Sequence, residues 1–307
     1  MSIKDILTFE ELSSKQIIRI LDLADKYKEE RKKRVFRKEL SSRILALIFQ
    51  KSSTRTRISF EIAMKELGGE VLSFSANDLQ LSRGETIEDS ARVFSRYVDI
   101  VMLRVYNHKD IIKFANASSI PVINGLSDLY HPCQTLADLQ TIREIKGHLK
   151  KLKIAWIGDG NNVANSLILA CSKMDIQMVI ACPKTHQPSQ DVISYAKSKK
   201  AKILITSNSK DAAQDADVVI TDTFVSMGQE KNKKERLKIF LPKYQVNQKL
   251  MTLAKKDAIF MHCLPAHRGE EVTSEVLDGP QSAVWEEAEN RLHSQKALLS
   301  LLLSNRL

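Results

Sequence analysis

The chain has 307 residues, enough for two α/β domains or one unusually large one, and its 43% hydrophobic and 27% charged residues are ordinary for a soluble enzyme. Its formal net charge of +10 suggests nucleic-acid binding, but the basic residues are scattered and show no aromatic interleaving or nucleic-acid motif. We therefore expect a solvated basic surface that helps to gather small anionic substrates, with no nucleic-acid partner.

Two further classes of protein are disfavoured. No apolar stretch is long enough to span a membrane, and no signal or transit peptide is visible, so we expect a cytoplasmic protein without a membrane partner. The four cysteines form no CxxC pair and no disulfide framework, which suits a reducing compartment.

His131-Pro132-Cys133 and His262-Cys263 are weak metal signals because no carboxylate or helix-spaced histidine accompanies them. We expect no metal and no cofactor.

The first half of the chain alternates between apolar runs and helical spacing. After an opening helix from about Ser14 to Arg31, the pattern predicts strand 44–49, helix 54–67, strand 70–74, helix 86–97, strand 99–104, helix 109–117 and strand 121–124. A long helix follows from His131 to about Ile145 and ends near Gly147. Such alternation predicts a parallel sheet with crossover helices.

A second alternating series begins after Lys150-Lys151. It predicts strand 153–157, helix 162–174, strand 177–182, helix 189–199, strands 202–206, 217–222 and 258–262, and a short strand at Val284-Trp285. The final helix is expected from about Glu286 to Ser304. The predicted fold is α/β, with two doubly wound parallel-sheet lobes, 1–146 and 147–307, joined by the long helix. We expect the active site in the cleft between them, and the last helix, about 286–304, to pack back on the first lobe.

Ser53-Thr54-Arg55-Thr56-Arg57 is the most informative short segment. It follows the first predicted strand and opens a helix, where free N–H groups and the helix dipole attract an anion. No lysine of the GxxxxGK[ST] type is present, so a small phosphorylated molecule fits better than a nucleoside triphosphate. A helix cap with two solvated arginines is the alternative.

Polar residues also follow the other predicted strands, at the edge where open parallel sheets bind ligands. In chain order they are Ser53, Arg104, His131, Gln134, Asn161, Asn162, Asp222 and His262-Cys263. Any one of them could be a structural capping residue, but together they indicate a site.

Gly158-Asp159-Gly160-Asn161-Asn162-Val163 follows a strand and opens a helix, as a dinucleotide-binding fingerprint does. However, Val163 stands where the third glycine belongs, and Ala181-Cys182-Pro183 stands where the next strand should end on an acidic residue. Both departures argue against an NAD(P)-dependent dehydrogenase.

The motifs resemble those of the aspartate/ornithine carbamoyltransferase family. The similarity rests on Ser53-Thr54-Arg55-Thr56-Arg57 and His131-Pro132-Cys133-Gln134, and extends to the segments 124–128 and 287–291. The segment 222–228 and His262-Cys263-Leu264-Pro265 are similar to the ornithine-specific branch, whereas the aspartate branch carries an arginine-bearing Pro-Leu-Pro segment there. One departure is Phe224, where the family more often has tryptophan; we expect a tolerated packing change.

The resemblance implies that the carbamoyl group of carbamoyl phosphate is transferred to L-ornithine, giving L-citrulline and phosphate in arginine biosynthesis. Residues 1–146 would bind carbamoyl phosphate and 147–307 ornithine. The implied carbamoyl-phosphate-binding residues are Ser53, Thr54, Arg55, Thr56, Gln80, Arg104, His131, Gln134, Cys263, Leu264 and Arg291. The implied ornithine-binding residues are Asn162, Asp222, Ser226 and Met227. The implied catalytic residues are Arg104, His131, Asp222 and Cys263.

Further expectations follow from the resemblance. Gln80 matches a position that reaches a neighbouring subunit's site, which implies a homo-oligomer, a trimer or an assembly of trimers; the alternative is an exposed loop amide. Leu264-Pro265 is expected to be cis. The segment 223–242 is expected to carry closure on binding. For Cys263 the alternative is a small buried hydrophobe.

Two other functions remain to be separated. One is a carbamoyltransferase with another acceptor, such as putrescine or an N-acylated ornithine; Ser226-Met227-Gly228 disfavours putrescine because that amine has no carboxylate to bind. The other is a protein that senses an anionic metabolite without turnover, which the intact catalytic constellation disfavours.

Overall fold

The alternating apolar and helical segments fold into two parallel sheets. A computed structural model of the chain describes residues 3–80, 84–225 and 230–304. Its contacts divide the chain into two units, Met1–Gln140 with Glu289–Leu307, and Thr141–Ala288.

The first unit contains a four-stranded sheet in the order β2-β1-β3-β4, with every pair parallel. Its strands are β1 (Ile44–Phe49), β2 (Glu70–Ser75), β3 (Ile100–Arg104) and β4 (Val122–Leu126). The helices that begin in it are α1 (Ser14–Lys32), α2 (Thr54–Glu66), α3 (Ile87–Tyr97), α4 (His108–Ala117) and α5 (Pro132–Lys146). β1 and β3 are buried almost throughout, as expected for strands covered on both faces by crossover helices.

The second unit contains a five-stranded parallel sheet in the order β7-β6-β5-β8-β9. Its strands are β5 (Lys153–Ile157), β6 (Gln177–Ala181), β7 (Ile203–Thr206), β8 (Val218–Thr221) and β9 (Ile259–His262). The helices that follow β5 are α6 (Asn162–Met174), α7 (Gln190–Ser198), α8 (Ser209–Ala213), α9 (Lys233–Phe240), α10 (Gln248–Met251), α11 (Ser274–Leu277) and α12 (Val284–Leu303). Across the described ranges, none of the helices has both the length and the apolar character needed to cross a membrane.

Each sheet contains a point where the strand order reverses. In the first unit the reversal lies between β1 and β3, and in the second it lies between β5 and β8. Loops that leave the carboxyl ends of two such strands turn to opposite faces, which opens a crevice for a ligand. The predicted pair of doubly wound parallel sheets is confirmed, and the two reversal points show where to look for a site.

The predicted short strand at Val284-Trp285 is wrong, because these residues begin α12. The strand-like contact occurs just before them, where Phe260 N–H donates to Gln281 O (2.7 Å) and Ala283 N–H donates to Phe260 O (2.8 Å). Glu287 N–H then bonds to Ala283 O (2.9 Å), so the chain is already helical at Val284. The helices α8 to α11 were also not predicted; three of them have five residues or fewer, too short for a clear period.

The buried histidine of α12 should make the protein sensitive to acid. The His293 side chain is fully buried with Nε2 3.3 Å from Glu289 Oε1, and burial lowers the pKa of His293 to about 4 although Glu289 opposes this. Between pH 6.5 and 4, His293 is therefore protonated in the unfolded chain but stays neutral in the folded chain. The free energy of unfolding accordingly decreases as the pH falls through this range. On going from pH 6.5 to pH 4, the thermal midpoint of the parent should therefore drop further than that of His293→Gln, by about 5 °C.

Differential scanning calorimetry at the two pH values measures this difference. His148→Gln, which changes an exposed histidine, is the matched control and should behave like the parent. An equal loss of midpoint in His293→Gln and in the parent would contradict the prediction.

Candidate active site

In the first unit the predicted anion-binding turn lies at the carboxyl end of β1. Ser53 has extended backbone and caps α2, its Oγ accepting a hydrogen bond from Thr56 N–H (3.3 Å). Thr54 and Arg55 form the first turn of this 13-residue helix, and Thr56 is fully buried. The turn therefore joins a buried strand to a helix N-terminus, where N–H groups favour an anion.

Only one of the two arginines of this turn remains a candidate ligand. Arg57 is exposed and pairs with Glu61 one helical turn later (Nε–Oε1, 2.9 Å). The alternative of solvated arginines thus describes Arg57, whereas Arg55 is half-buried.

Arg104 is placed beside this turn by the pairing of the two central strands. It ends β3 opposite Phe49 of β1, and Gln50 N–H donates to Arg104 O (2.8 Å). Gln50 Oε1 in turn accepts from Tyr106 N–H (2.9 Å). These hydrogen bonds hold the end of β3 at the reversal point of the sheet, and the side chain of Arg104 is buried there.

Arg291 of α12 brings together residues that the sequence placed far apart. Its Nη1 donates to Gln134 Oε1 (2.7 Å) and its Nη2 donates to Thr56 Oγ1 (2.8 Å). Gln134 Nε2 donates to Asp138 Oδ1 (2.8 Å), which sets the orientation of the amide. All of these side chains are buried. Three predicted site residues, from α2, α5 and α12, are therefore in direct contact.

His131 lies beside this cluster as a buried, neutral imidazole. Burial, together with the positive charges of Arg291 and Arg104, holds the pKa of His131 well below its usual value. At neutral pH the ring is therefore uncharged, so it can donate one hydrogen bond and accept another without adding a third positive charge to the cluster. A buried neutral histidine beside two guanidinium groups suits a site that binds an anion and polarises a carbonyl oxygen.

In the second unit the centre of the predicted site is Asp222, which follows β8. Its Oδ2 accepts from Asn161 Nδ2 (2.7 Å), and its Oδ1 accepts from Cys263 Sγ (3.1 Å) and Thr223 N–H (2.8 Å). The carboxylate is buried, and Cys263 is partly exposed. Asp222 follows β8, and Cys263 follows the neighbouring strand β9. The structure therefore brings these two predicted residues together at the carboxyl edge of the sheet, as expected.

Asn161 was noted at this strand end but not included among the predicted ligands. Its Oδ1 caps α6 by accepting from Val163 N–H (3.0 Å) and Ala164 N–H (3.2 Å), while its Nδ2 holds Asp222. Asn162, the predicted ligand, begins α6 and is half-buried. The helix-cap position after β5 was the signal that could have identified Asn161 as the residue that orients Asp222.

His262 supports the site from behind. Its Nδ1 accepts from Leu264 N–H (2.9 Å), so in the neutral ring the Nε2–H points to Glu271 Oε1 (3.2 Å). Burial alone would raise the pKa of Glu271, but hydrogen bonds from His262 and His267 N–H outweigh it and hold that pKa below its usual value. His262 N–H also donates to Glu287 Oε2 (2.9 Å). These bonds fix the turn at Cys263, and Leu264–Pro265 is cis as expected.

Among the described residues, two groups of side chains have ligand atoms close enough to share an ion, Asp222-His262-Cys263 and His267-Glu270-Glu271. Hydrogen bonds already occupy both ring nitrogens of His262. Glu270 Oε1 pairs with Lys233 Nζ at 2.6 Å. We assign no metal to either group, and the expectation that the protein uses none stays a prediction.

The two glycines of Gly158-Asp159-Gly160 serve local packing. Gly158 has φ +132°, and a Cβ there would lie 3.2 Å from the ring of Phe224. At Gly160 the backbone of Pro188 leaves no room for a side chain. Phe224 is fully buried and stacks on Phe240 with ring centroids 4.6 Å apart. This packing accounts for a glycine-rich turn without a dinucleotide.

The remaining predicted residues are less well defined. Ser226, Met227 and Gly228 lie outside the described residues. Gln80 has an exposed side chain, and its carbonyl accepts from Glu85 N–H (3.2 Å). In a single chain this is the position of an exposed loop amide.

One buried residue contradicts the expectation of a solvated basic surface. Arg236 lies within the basic run Lys231–Lys238, yet its side chain is largely buried and forms an ion pair with Asp159. Lys231, Lys234 and Lys238 are exposed as expected. A signal was available: Arg236 is the only arginine in the run, and it stands four residues before the buried Phe240.

The exposure of Cys263 predicts a selective reaction with a thiol reagent. Burial raises the pKa of Cys133 to about 12 and that of Cys182 to about 11, and Cys171 is buried, whereas Cys263 is only partly buried. Because the thiolate is the nucleophile, limiting iodoacetamide should alkylate Cys263 first in the folded protein. Mass spectrometry of the peptides measures the order. Earlier labelling of Cys133 or Cys182 would contradict it, and comparable labelling of all four in urea is the control.

Comparisons with known proteins identify the family of the chain. Residues 4–144 match the family model described as the carbamoyl-P binding domain of aspartate/ornithine carbamoyltransferase, and residues 150–302 match its Asp/Orn binding domain. The chain is 52% identical to the ornithine carbamoyltransferase of Caldicellulosiruptor saccharolyticus, over 99% of this chain and 100% of that protein. It is also 52% identical to that of Pyrococcus abyssi, over 98% and 96% of the two chains.

Solved structures give the same result. The ornithine carbamoyltransferase from Pyrococcus furiosus has a TM-score of 0.95 at 49% identity, covering 99% of both chains. The anabolic ornithine carbamoyltransferase from Campylobacter jejuni has a TM-score of 0.93 at 43% identity, covering 99% of this chain and all of the other. These matches confirm the resemblance of the sequence motifs: the chain belongs to the aspartate/ornithine carbamoyltransferase family.

Proposed function

We propose that this protein is an ornithine carbamoyltransferase, which converts carbamoyl phosphate and L-ornithine into L-citrulline and phosphate. The relatives reported above are named for this activity, and this chain is 43% to 52% identical to them over nearly its whole length. Family membership alone leaves two acceptors, aspartate and ornithine. The choice between them rests on the second unit.

The observation that carries the choice is the contact of Cys263 Sγ with Asp222 Oδ1 (3.1 Å). A buried carboxylate beside a thiol attracts an amine and repels a carboxylate, so this edge of the sheet suits the side chain of ornithine and disfavours that of aspartate. The aspartate branch has an arginine-bearing segment where this chain has His262-Cys263-Leu264-Pro265. The charge of the acceptor pocket is therefore of the sign that ornithine requires.

Carbamoyl phosphate is assigned to the first unit. The phosphate would bind at the N-terminus of α2 through Ser53, Thr54, Arg55 and Thr56, where a helix dipole and a half-buried arginine favour negative charge. Gln80 of a neighbouring subunit would complete this contact. We place the boundary between the carbamoyl-phosphate-binding and ornithine-binding domains near residue 146.

Carbonyl polarisation is assigned to the buried cluster described above. Arg104, His131 and Thr56 would donate to the carbonyl oxygen, with Arg291 reaching the same atom. Gln134 and the backbone carbonyls of Cys263 and Leu264 would hold the carbamoyl NH₂. The contacts of Arg291 with Thr56 and Gln134 support this assignment because they orient both groups before substrate arrives.

The reaction forms one bond and breaks another. The δ-amino nitrogen of ornithine attacks the carbonyl carbon, the bond from that carbon to the phosphate oxygen breaks, and the nitrogen loses a proton. Negative charge grows on the carbonyl oxygen during the attack, and buried donors stabilise it more strongly than water does. Phosphate then leaves with the bonding electron pair.

The attacking amine has to be neutral. A lysine-like amine has a reference pKa of about 10.4, so most of it carries a proton at neutral pH. We assign Asp222 and Cys263 to hold this amine as it loses its proton, and Asn162 to hold the amino-acid end together with Ser226 and Met227. Asn161 would keep the Asp222 carboxylate in place.

A product assay tests the proposal. The purified protein is incubated with carbamoyl phosphate and, separately, ornithine, N-acetylornithine, putrescine or aspartate, and each carbamoylated product is measured. We expect citrulline to be the main product. A preference for another amine would identify a different acceptor, and binding of carbamoyl phosphate without any product would support the sensing protein instead.

Cys263→Ala should affect the acceptor and spare the donor. Removing the thiol takes away a hydrogen bond to Asp222, so we expect kcat/KM for ornithine to fall about tenfold or more. The KM for carbamoyl phosphate should stay within about twofold of the parent value. Steady-state kinetics measures both. Cys171→Ala, in α6 of the same unit, is the control; unchanged kinetics in Cys263→Ala would remove the proposed role.

We also propose that the protein works as a homo-oligomer built from trimers. Several large apolar side chains of the first unit are exposed in the single chain: Ile58 of α2, Leu72 of the edge strand β2, and Val93 and Tyr97 of α3. Tyr97 is 74% exposed, and a contact with a neighbouring subunit would remove such apolar surface from water. A neighbouring subunit would also give the exposed side chain of Gln80 a second copy to contact.

Mixing two inactive variants tests the shared site. Gln80→Ala and Arg104→Ala subunits should each be nearly inactive, but reassembly of an equal mixture should restore about a quarter of the parent activity, because each mixed trimer regains one intact site. Light scattering should show trimers or multiples of trimers. A monomer with full activity, or no recovery in the mixture, would contradict shared sites.

The biological setting is proposed on the same basis. Two of the relatives are named as anabolic enzymes, which supports a role in arginine biosynthesis. The four cysteines, all of them among the described residues, form no disulfide, which supports a cytoplasmic location.

A further inference from the structure

Arg236 is bonded to two different loops of the second unit. Its Nε donates to the carbonyl oxygen of Phe224 (2.6 Å), and its Nη2 donates to Asp159 Oδ2. The first loop follows β8 and the second follows β5. A single guanidinium group therefore joins the two loops on either side of the reversal point of the sheet.

Both loops carry residues assigned to the acceptor. Asp159 stands two residues before Asn161, which holds Asp222, and three before Asn162. Phe224 stands two residues after Asp222 and two before Ser226. Arg236 therefore contacts both of the loops that carry residues assigned to the acceptor.

The ion pair is buried well enough to be strong. The side chains of Arg236 and Asp159 are 13% and 12% exposed. Burial raises the pKa of Asp159 although Arg236 and His186 oppose this, so the carboxylate depends on its partner to stay charged. Breaking such a pair costs far more than breaking an exposed one.

Aromatic rings fix the guanidinium from its other side. Arg236 Cζ lies 5.5 Å from the centre of the Phe240 ring, which stacks on Phe224 and meets His186 edge-on at 5.0 Å. His186 O also accepts from Gly160 N–H (2.9 Å). The cation is therefore held by a carboxylate, a carbonyl and a ring face, an arrangement that a planar guanidinium matches and an ammonium does not.

We propose that Arg236, paired with Asp159, is a positioning residue that holds the two acceptor-binding loops in register and so sets the affinity for ornithine. It touches no reacting atom. The inference rests on the proposed function, because ornithine is the ligand whose affinity it predicts. Carbamoyl phosphate, assigned to the first unit, should be unaffected.

Three single variants and one double variant test this inference. Arg236→Met, Arg236→Gln and Asp159→Asn should each raise the KM for ornithine about tenfold or more, with the KM for carbamoyl phosphate unchanged within about twofold. Arg236→Lys should fail to restore the parent KM, because one ammonium cannot serve both loops in the same geometry. The double variant Asp159→Asn/Arg236→Met should be no worse than Arg236→Met, since Asp159→Asn removes only the ion pair that Arg236→Met has already broken.

The matched control is another ion pair on the same sheet. Lys255 Nζ lies 2.7 Å from Asp217 Oδ1, and Asp217 Oδ2 accepts from Lys153 N–H (2.8 Å), at the amino ends of β5 and β8. Lys255→Met should lower the thermal midpoint without changing the KM for ornithine. Far-ultraviolet circular dichroism and thermal midpoints of all variants show which of them fold.

The outcomes separate the two proposals. A parent protein that forms no citrulline refutes the proposed function. An active parent whose Arg236→Gln or Asp159→Asn variant folds and keeps its KM for ornithine refutes the positioning role alone. That role is also refuted if Arg236→Lys restores the parent KM, if both substrates lose affinity equally, or if Lys255→Met raises the KM for ornithine as much.

Discussion

In each unit the arrangement of the candidate residues depends on one topological constraint, the reversal of strand order in its parallel sheet. At the reversal two neighbouring strands, β1 and β3 in one unit and β5 and β8 in the other, send their loops to opposite faces. The backbone pairing of Phe49 with Arg104 and of Ile220 with Trp156 holds these carboxyl ends level. Polar side chains separated by more than fifty residues can then meet at one edge, as Asn161 and Asp222 do.

The two units use opposite charge at this edge. In the first unit, buried guanidinium groups and a helix N-terminus surround a histidine whose pKa is kept low, which suits an anion and a polarised carbonyl. In the second, a buried carboxylate accepts from a thiol and an amide, which suits an amine. Buried arginines orient their neighbours in both, Arg291 in the first and Arg236 in the second. A planar group with several donors can hold two elements at once.

Much of the fold follows from periodicity. The apolar run 44–49 is a strand buried on both sides, and the helix after Ser53 begins where the capping residue indicates. Predictions from periodicity failed where segments were short. The strand-like bonds are made by Gln281 and Ala283, and the predicted strand Val284-Trp285 is already the start of a helix. Arg57 and Arg236 show the same limit for side chains. Both stand in polar stretches, but Arg57 is solvated and Arg236 is largely buried, and the one local signal that separates them is the buried Phe240 four residues after Arg236.

The sequence by itself determined the chemistry, because residue type and order along the chain decide which donors and acceptors follow each strand. It was sufficient for the parallel sheets, the strand-to-helix turn at Ser53, the placing of Asp222 beside Cys263 and the family. Only the tertiary structure decided which groups touch: Arg291 with Thr56 and Gln134, Asn161 with Asp222, and Arg236 with Phe224 and Asp159. These contacts join residues distant in sequence, and they depend on the packing of whole helices and loops, which no local pattern records.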